Sequence, residues 1–273
     1  RSGRQRGPRC SHPHLAREDN EADIPKVCRR EVSMMPQRLR ETPSRRIRIA
    51  TYNVHGWIGI DNRQVPMRAM RVISELEADI IALQEATFSL EYGGHLDETF
   101  FTNITGMETA LGPTFFKRPF HFGNVLLSRF PFTRIRTIDL SAHPYEPRGA
   151  IDAVIRIGDR NLRVLTAHFG LKRSERKFQA DMIIRALTSR PLGNVVLMGD
   201  FNEWSPINSS LDTLYALFAK TRHPKSFPSF CPMFSLDRIL VSPEGLLEGI
   251  DAFTNPETIL ASDHLPITGI ISL

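Results

Sequence analysis

The sequence predicts an α/β domain in which two sheets pack together and helices cover their outer faces. Three observations carry this. Apolar runs of strand length recur along the chain, neighbouring runs are joined by hairpin turn residues, and two or three stretches show helical spacing. All of this lies in 46–273, so we expect one folded domain there and a disordered or loosely attached tail over 1–45.

The elements follow in order. Ile47, Ile49 and Thr51 alternate with Arg48 and Ala50, the pattern of a half-buried strand. Pro66 opens a helix with Met67, Met70, Ile73 and Leu76 on one face, and Ile80 to Leu83 is a buried strand. Strands follow at 124–127, 150–157 and 162–166, the last two joined by the Gly158-Asp159-Arg160-Asn161 turn. From Ser174 a helix stacks Phe178, Met182 and Ala186, and Val195 to Met198 returns to strand. Leu211, Leu214, Tyr215 and Phe218 mark an amphipathic helix, and strands at 236–241 and 267–271 end the domain.

Composition excludes several classes. At 41% hydrophobic and 24% charged, the chain is neither collagen-like, coiled coil nor wholly disordered, and no apolar run is long enough to span a membrane. The net charge of +5 invites a nucleic-acid partner, but its location argues otherwise. Residues 1–46 hold twelve of the 35 basic and six of the 30 acidic residues, leaving 23 against 24 for the rest. The three cysteines, Cys10, Cys28 and Cys231, have neither disulfide-framework nor zinc spacing, and no apolar signal segment is seen, so a cytoplasmic monomer without an obligate protein partner is expected. P-loop, G-x-S-x-G and H-E-x-x-H motifs are absent.

What stands out is the polar end of each apolar strand. The first runs into Asn53 and His55, the second into Glu85, the strand at 162 into His168, and that at 195 into Asp200 and Asn202. Leu236 is followed by Asp237, and a turn presents Asp263 and His264 before the last strand. Singly, each has an ordinary reading: Asn53, Asp200 and Asn202 as turn formers, Glu85 as a solvated strand end, Asp237 as a local partner of Arg238. Together they point to one convergent site.

The strings A-T-Y-N-V-H-G-W (50–57), D-I-I-A-L-Q-E (79–85), G-N-V-L-L-S-R-F-P (123–131), E-P-R-G-A (146–150), T-A-H-F-G-L (166–171), L-M-G-D-F-N-E-W (197–204), L-D-R-I-L-V (236–241) and S-D-H-L-P (262–266) resemble the endonuclease/exonuclease/phosphatase superfamily. The resemblance covers residues 46–273 and implies a DNase I-like, four-layered α/β/β/α sandwich with metal and phosphate bound at one edge. It is nearest to a compact stand-alone subgroup whose substrates are mostly unassigned.

By that resemblance the chain is a phosphoesterase using Mg²⁺ or Mn²⁺, with Glu85 as principal metal ligand and Asn53, Asp263 and Asp200 completing or adjoining the metal site. Asp200 activates the attacking water, Asn202 binds the phosphoryl oxygen, and His264 contacts the phosphate or acts as base, oriented by Asp237. His168 is an acid for the leaving group or a phosphate clamp, and Asn53 and Arg148 bind the substrate phosphate. Glu203-Trp204 and Ser226 depart from the family pattern but are expected to lie outside the catalytic set.

For the substrate, a phospholipid or small phosphodiester is favoured over DNA or RNA, because the near-neutral domain offers no broad basic groove. Basic clusters at Lys172, Arg173, Arg176 and Lys177 and at Lys220, Arg222 and Lys225 read as solvated helix faces or a patch near the site. A non-catalytic binding protein retaining the fold is the remote alternative. Truncation at Arg45 should keep activity.

Overall fold

A computed structural model describes residues 45–91, 93–189, 191–205 and 209–273. The expected tail lies outside the described residues except for Arg45, whose backbone pairs with Leu273 through N–H and C=O bonds of 3.0 and 3.2 Å.

The strands are β1 (Arg46–Asn53), β2 (Ile80–Phe88), β3 (Glu108–Lys117), β4 (Phe120–Ser128), β5 (Phe132–Asp139), β6 (Gly149–Ile157), β7 (Arg160–His168), β8 (Val195–Asp200), β9 (Asp237–Ser242), β10 (Leu247–Ala252) and β11 (Ile267–Ser272). The helices are α1 (Pro66–Glu75), α2 (Glu98–Thr105), α3 (Arg173–Thr188), α4 (Asp212–Tyr215) and α5 (Pro256–Ala261). One mixed sheet runs β10-β11-β1-β2-β4-β3 and the other β5-β6-β7-β8-β9. The two inner strand pairs, β1 with β2 and β7 with β8, are parallel.

Strand alternation sorts the core into layers. Ile47 and Ile49 of β1, Leu162 and Val164 of β7, Val196 and Met198 of β8, and Ile239 and Val241 of β9 meet between the sheets. The opposite faces bury Ala50, Tyr52, Ile81 and Leu83 among residues of α1 and α2, and Leu165, Ala167 and Leu197 among residues of α3 and α4. The result is the expected four-layered sandwich.

The structure revises several local expectations. β1 is half-buried only at its start, because from Ile49 onward a helix layer covers one face and the second sheet the other. Met67 is exposed on α1, whose buried face is Ala69, Met70, Val72 and Ile73. Likewise α3 buries Arg176, Gln179, Ala180, Ile183 and Leu187, while Phe178 stays exposed. The expected helix over 211–218 is a single turn, α4, after which Leu217 and Phe218 pair back to Leu214 and Tyr215 in turns. The elements α2, β3, β5, β10 and α5 were not expected from the sequence; of these, β3, β5 and β10 are edge strands, and β5 and β10 bury no residue fully.

Candidate active site

The parity that builds the inter-sheet core also builds the site. Asn53 continues the Ile47, Ile49, Thr51 face, His168 the Leu162, Val164, Thr166 face, and Asp200 the Val196, Met198 face; Asp237 shares its face with Ile239 and Val241. These polar ends therefore converge at one edge of the sandwich. Beneath them a polar layer closes the core: Thr51 Oγ1 donates to Gln84 Oε1 (3.1 Å), and Gln84 Nε2 donates to Thr166 Oγ1 (3.1 Å).

Glu85 breaks this parity and is rescued by a bulge. Simple alternation would send it outward with Leu83, but the β2–β4 register shifts between Leu83 and Ala86, and Glu85 has φ of 55°. That left-handed residue swings the carboxylate to the inter-sheet side, where Glu85 Oε1 accepts from Asn53 Nδ2 at 2.9 Å. Glu85 thus sits within a strand rather than at its end. The same Asn53 nitrogen donates to Asp200 Oδ2 (3.0 Å), while Asn53 Oδ1 accepts from His55 N (2.9 Å). Asp200 Oδ1 accepts from the backbone N–H of Asn202, which is itself left-handed at φ of 47°.

Two histidines flank Asp200. His264 Nδ1 bonds Asp237 Oδ2 at 2.7 Å, and its Nε2 lies 3.8 Å from Asp200 Oδ2. Burial works against charge on this ring, but the carboxylates of Asp237 and Asp200 outweigh it and raise the His264 pKa well above the ordinary value. Burial likewise pushes the Asp200 carboxyl up, against the pull of His264.

His168 is the opposite case. Its Nδ1 lies 2.8 Å from Arg148 Nη1 and its Nε2 3.1 Å from Asn202 Nδ2. Burial first, then the Arg148 charge, lower its pKa, so the ring is neutral and has one lone pair. The guanidinium cannot accept and makes the shorter, charge-assisted bond, so it takes that lone pair at Nδ1. Asn202 Nδ2 instead donates to Phe169 O at 2.9 Å. The remaining proton is on Nε2, which faces Asp200 Oδ2 at 3.6 Å and Glu85 Oε1 at 3.7 Å.

Arg148 is buried and lines the cavity, with its Nη1 held between His168 Nδ1 and Glu146 Oε1 (3.0 Å), so it meets the site through the imidazole as well as directly. Asp263 stands apart from the carboxylate pair: its Oδ1 lies 3.7 Å from His55 Nδ1 and 4.0 Å from His264 Nε2. Arg176 leaves the expected basic patch, being buried with its guanidinium on Leu171 O (2.7 Å) and Glu203 Oε1 (3.4 Å). Asp237 pairs with His264, while Arg238 lies over the Tyr215 ring.

All nine predicted residues except Asn53 and Asp237 line one cavity of about 320 Å³, and those two hold the lining groups from behind. Sequence reading missed its apolar wall of Leu171, Phe122, Trp204 and Phe227. Trp204 packs edge-on to Phe227, whose ring lies 4.9 Å from that of His264, so the Glu203-Trp204 departure does reach the site. Ser226 reaches it too, its Oγ accepting from Asp237 N at 3.3 Å.

Carboxylates of Glu85 and Asp200 are brought within reach of one ion. His168 turns its Nε2–H there and His264 Nδ1 is engaged by Asp237, which leaves the two carboxylates as the nearest free donors. The remaining donors are hard oxygens, which fit Mg²⁺ or Mn²⁺ better than a softer metal.

Among known proteins, the uncharacterized YbhP of Escherichia coli K12 is 27% identical over 252 residues, spanning 83% of this chain and 96% of its own. A Beutenbergia cavernae endonuclease/exonuclease/phosphatase superposes with a TM-score of 0.69 at 19% identity, covering 84% of this chain and 72% of that one. The mannosyl-6-phosphatase Bt3783 of Bacteroides thetaiotaomicron does so with a TM-score of 0.64 at 16% identity, covering 83% and 99%. Residues 50–264 match the family model itself, and the chain belongs to the endonuclease/exonuclease/phosphatase family.

Proposed function

We propose that the chain is a Mg²⁺- or Mn²⁺-dependent phosphoesterase that hydrolyses a phosphodiester or phosphomonoester of a small molecule or phospholipid by in-line attack of water. The observation that carries this is the buried Asp200 carboxylate, set between Asn53, His168 and His264 and facing the Glu85 carboxylate. Glu85 and Asp200 would hold the cation, with Asn53 fixing both carboxylates. A cation there would offset the charge that builds on the phosphate and the leaving oxygen.

The protein groups divide the remaining work. Asp200, buried between Asn53 and the two histidines, takes the proton of the attacking water. His264, protonated and held by Asp237, donates from Nε2 to a phosphoryl oxygen. His168 donates a hydrogen bond from Nε2 but, being neutral, does not serve as the acid for the leaving group. The structure named as a mannosyl-6-phosphatase, which shares the fold, supports small-molecule chemistry.

Purified protein with Mg²⁺ or Mn²⁺ should hydrolyse bis-p-nitrophenyl phosphate, and Asp200→Ala and His264→Ala should each lower kcat by at least about a hundredfold. Unchanged rates in both variants would refute the site. Steeply salt-dependent cleavage of DNA or RNA in place of small esters would move the substrate to nucleic acid.

A further inference from the structure

The cleft does not end at Glu85. A second cavity of about 720 Å³ shares His55, Glu85, Phe122 and Glu146 with the catalytic one and runs to the tip of the β3–β4 hairpin. Its far end is lined by Lys117, Arg118, Pro119 and Phe120, and its side by Phe115, whose ring stacks on that of Phe122 at 4.9 Å. The Thr87 hydroxyl, in the lining strand β2, is buried without a hydrogen-bond partner.

The charges in this lobe are unevenly compensated. Glu146 is paired with Arg148, and Glu85, bonded to the neutral Asn53 amide, lies at the catalytic end, whereas Lys117 and Arg118 at the far end have no carboxylate partner among the described residues. The far end therefore carries two uncompensated cations above an aromatic wall. On the catalytic side the cavity is bounded instead by Leu171, Trp204 and Phe227, which are apolar. A phosphate at Glu85 and Asp200 thus has two unlike neighbours, and only a diester has two arms to fill both.

We propose that the hairpin lobe is a second anion subsite, and that the substrate is a phosphodiester with one apolar arm and one arm bearing a further phosphate or carboxylate. The inference rests on the phosphoesterase reading above and specifies its substrate class. Phe120 and Phe122 lie along the carbon body of the anionic arm, and Lys117 and Arg118 receive its terminal charge.

The test uses p-nitrophenyl alkyl phosphates whose alkyl arm, of several lengths, ends either in methyl or in phosphate. The full chain with Mg²⁺ should show a higher kcat/KM for a phosphate-ended ester than for its methyl-ended partner, expressed mainly in KM. In the Lys117→Gln/Arg118→Gln double variant that preference should fall about ten- to a hundredfold, whereas Lys117→Arg should keep it. Both positions are exposed, and a thermal melt checks that the variants fold. No preference at any arm length, or one that survives the double variant, would overturn the subsite while hydrolysis itself upholds the phosphoesterase reading. Hydrolysis of neither ester would overturn both.

Discussion

Replacing Arg148 with leucine should separate a group that binds phosphate from one that sets a histidine. Arg148 Nη1 lies 2.8 Å from His168 Nδ1, both side chains are buried, and the guanidinium has no acceptor. A hydrogen bond to a charged group contributes about 1.5–3 kcal/mol, so losing it should release the Nε2–H tautomer preference by about ten- to a hundredfold. In the mechanism proposed above the Nε2–H donates at the reacting phosphate, so kcat should fall by a comparable factor with little change in KM. Nitrogen-15 NMR of the imidazole reads the tautomer directly: wild type should show a protonated Nε2 and a bare Nδ1, and Arg148→Leu a mixture. Arg148→Lys, which keeps a donor and a charge, should restore part of both signals. An unchanged His168 spectrum with a raised KM would refute this reasoning and return Arg148 to direct phosphate binding.

Three further outcomes are expected. Asp237→Asn should lower the His264 pKa from about 10 towards its ordinary value, followed by NMR titration. Because that pKa is raised on folding, the dyad's contribution is complete below about 6.5 and is lost as pH rises towards about 10, so the stability gap between wild type and variant should narrow over that window. His223 behaves oppositely: burial, then Arg238, hold it down at about 3, so the unfolded chain binds the extra proton and acidification from about 6.5 towards 3 should destabilise the fold. His223→Leu should flatten that acid limb in denaturant melts, and an unchanged limb would show that other groups carry it. Gly199 has φ of 151° and a Cβ there would sit 1.9 Å from Ala167 O, so Gly199→Ala should cost about 3 kcal/mol and lower Tm; an unchanged Tm would mean that the β7–β8 pairing gives way freely.

The sequence by itself determined most of the strands, β3, β5 and β10 excepted, and the polar residues at the ends of several of them. Period-two alternation is local, so Asn53, His168, Asp200 and Asp237 could be placed from their own strands, and their motifs identified the family. Alternation could not place Glu85, because the bulge that re-aims it depends on its pairing with β4. Helix faces were misjudged at Met67 and Phe178 for a related reason: apolar spacing was read without knowing which polar residues, such as Arg176 and Gln179, find buried partners. The surroundings of Arg148 and Trp204 were likewise set by neighbours distant in the chain, His168 for one and Phe227 for the other. Residue type and period determine which groups reach the edge of the sheets; only the packing of one sheet on the other decides which of them meet there, as Asn53 meets both Glu85 and Asp200.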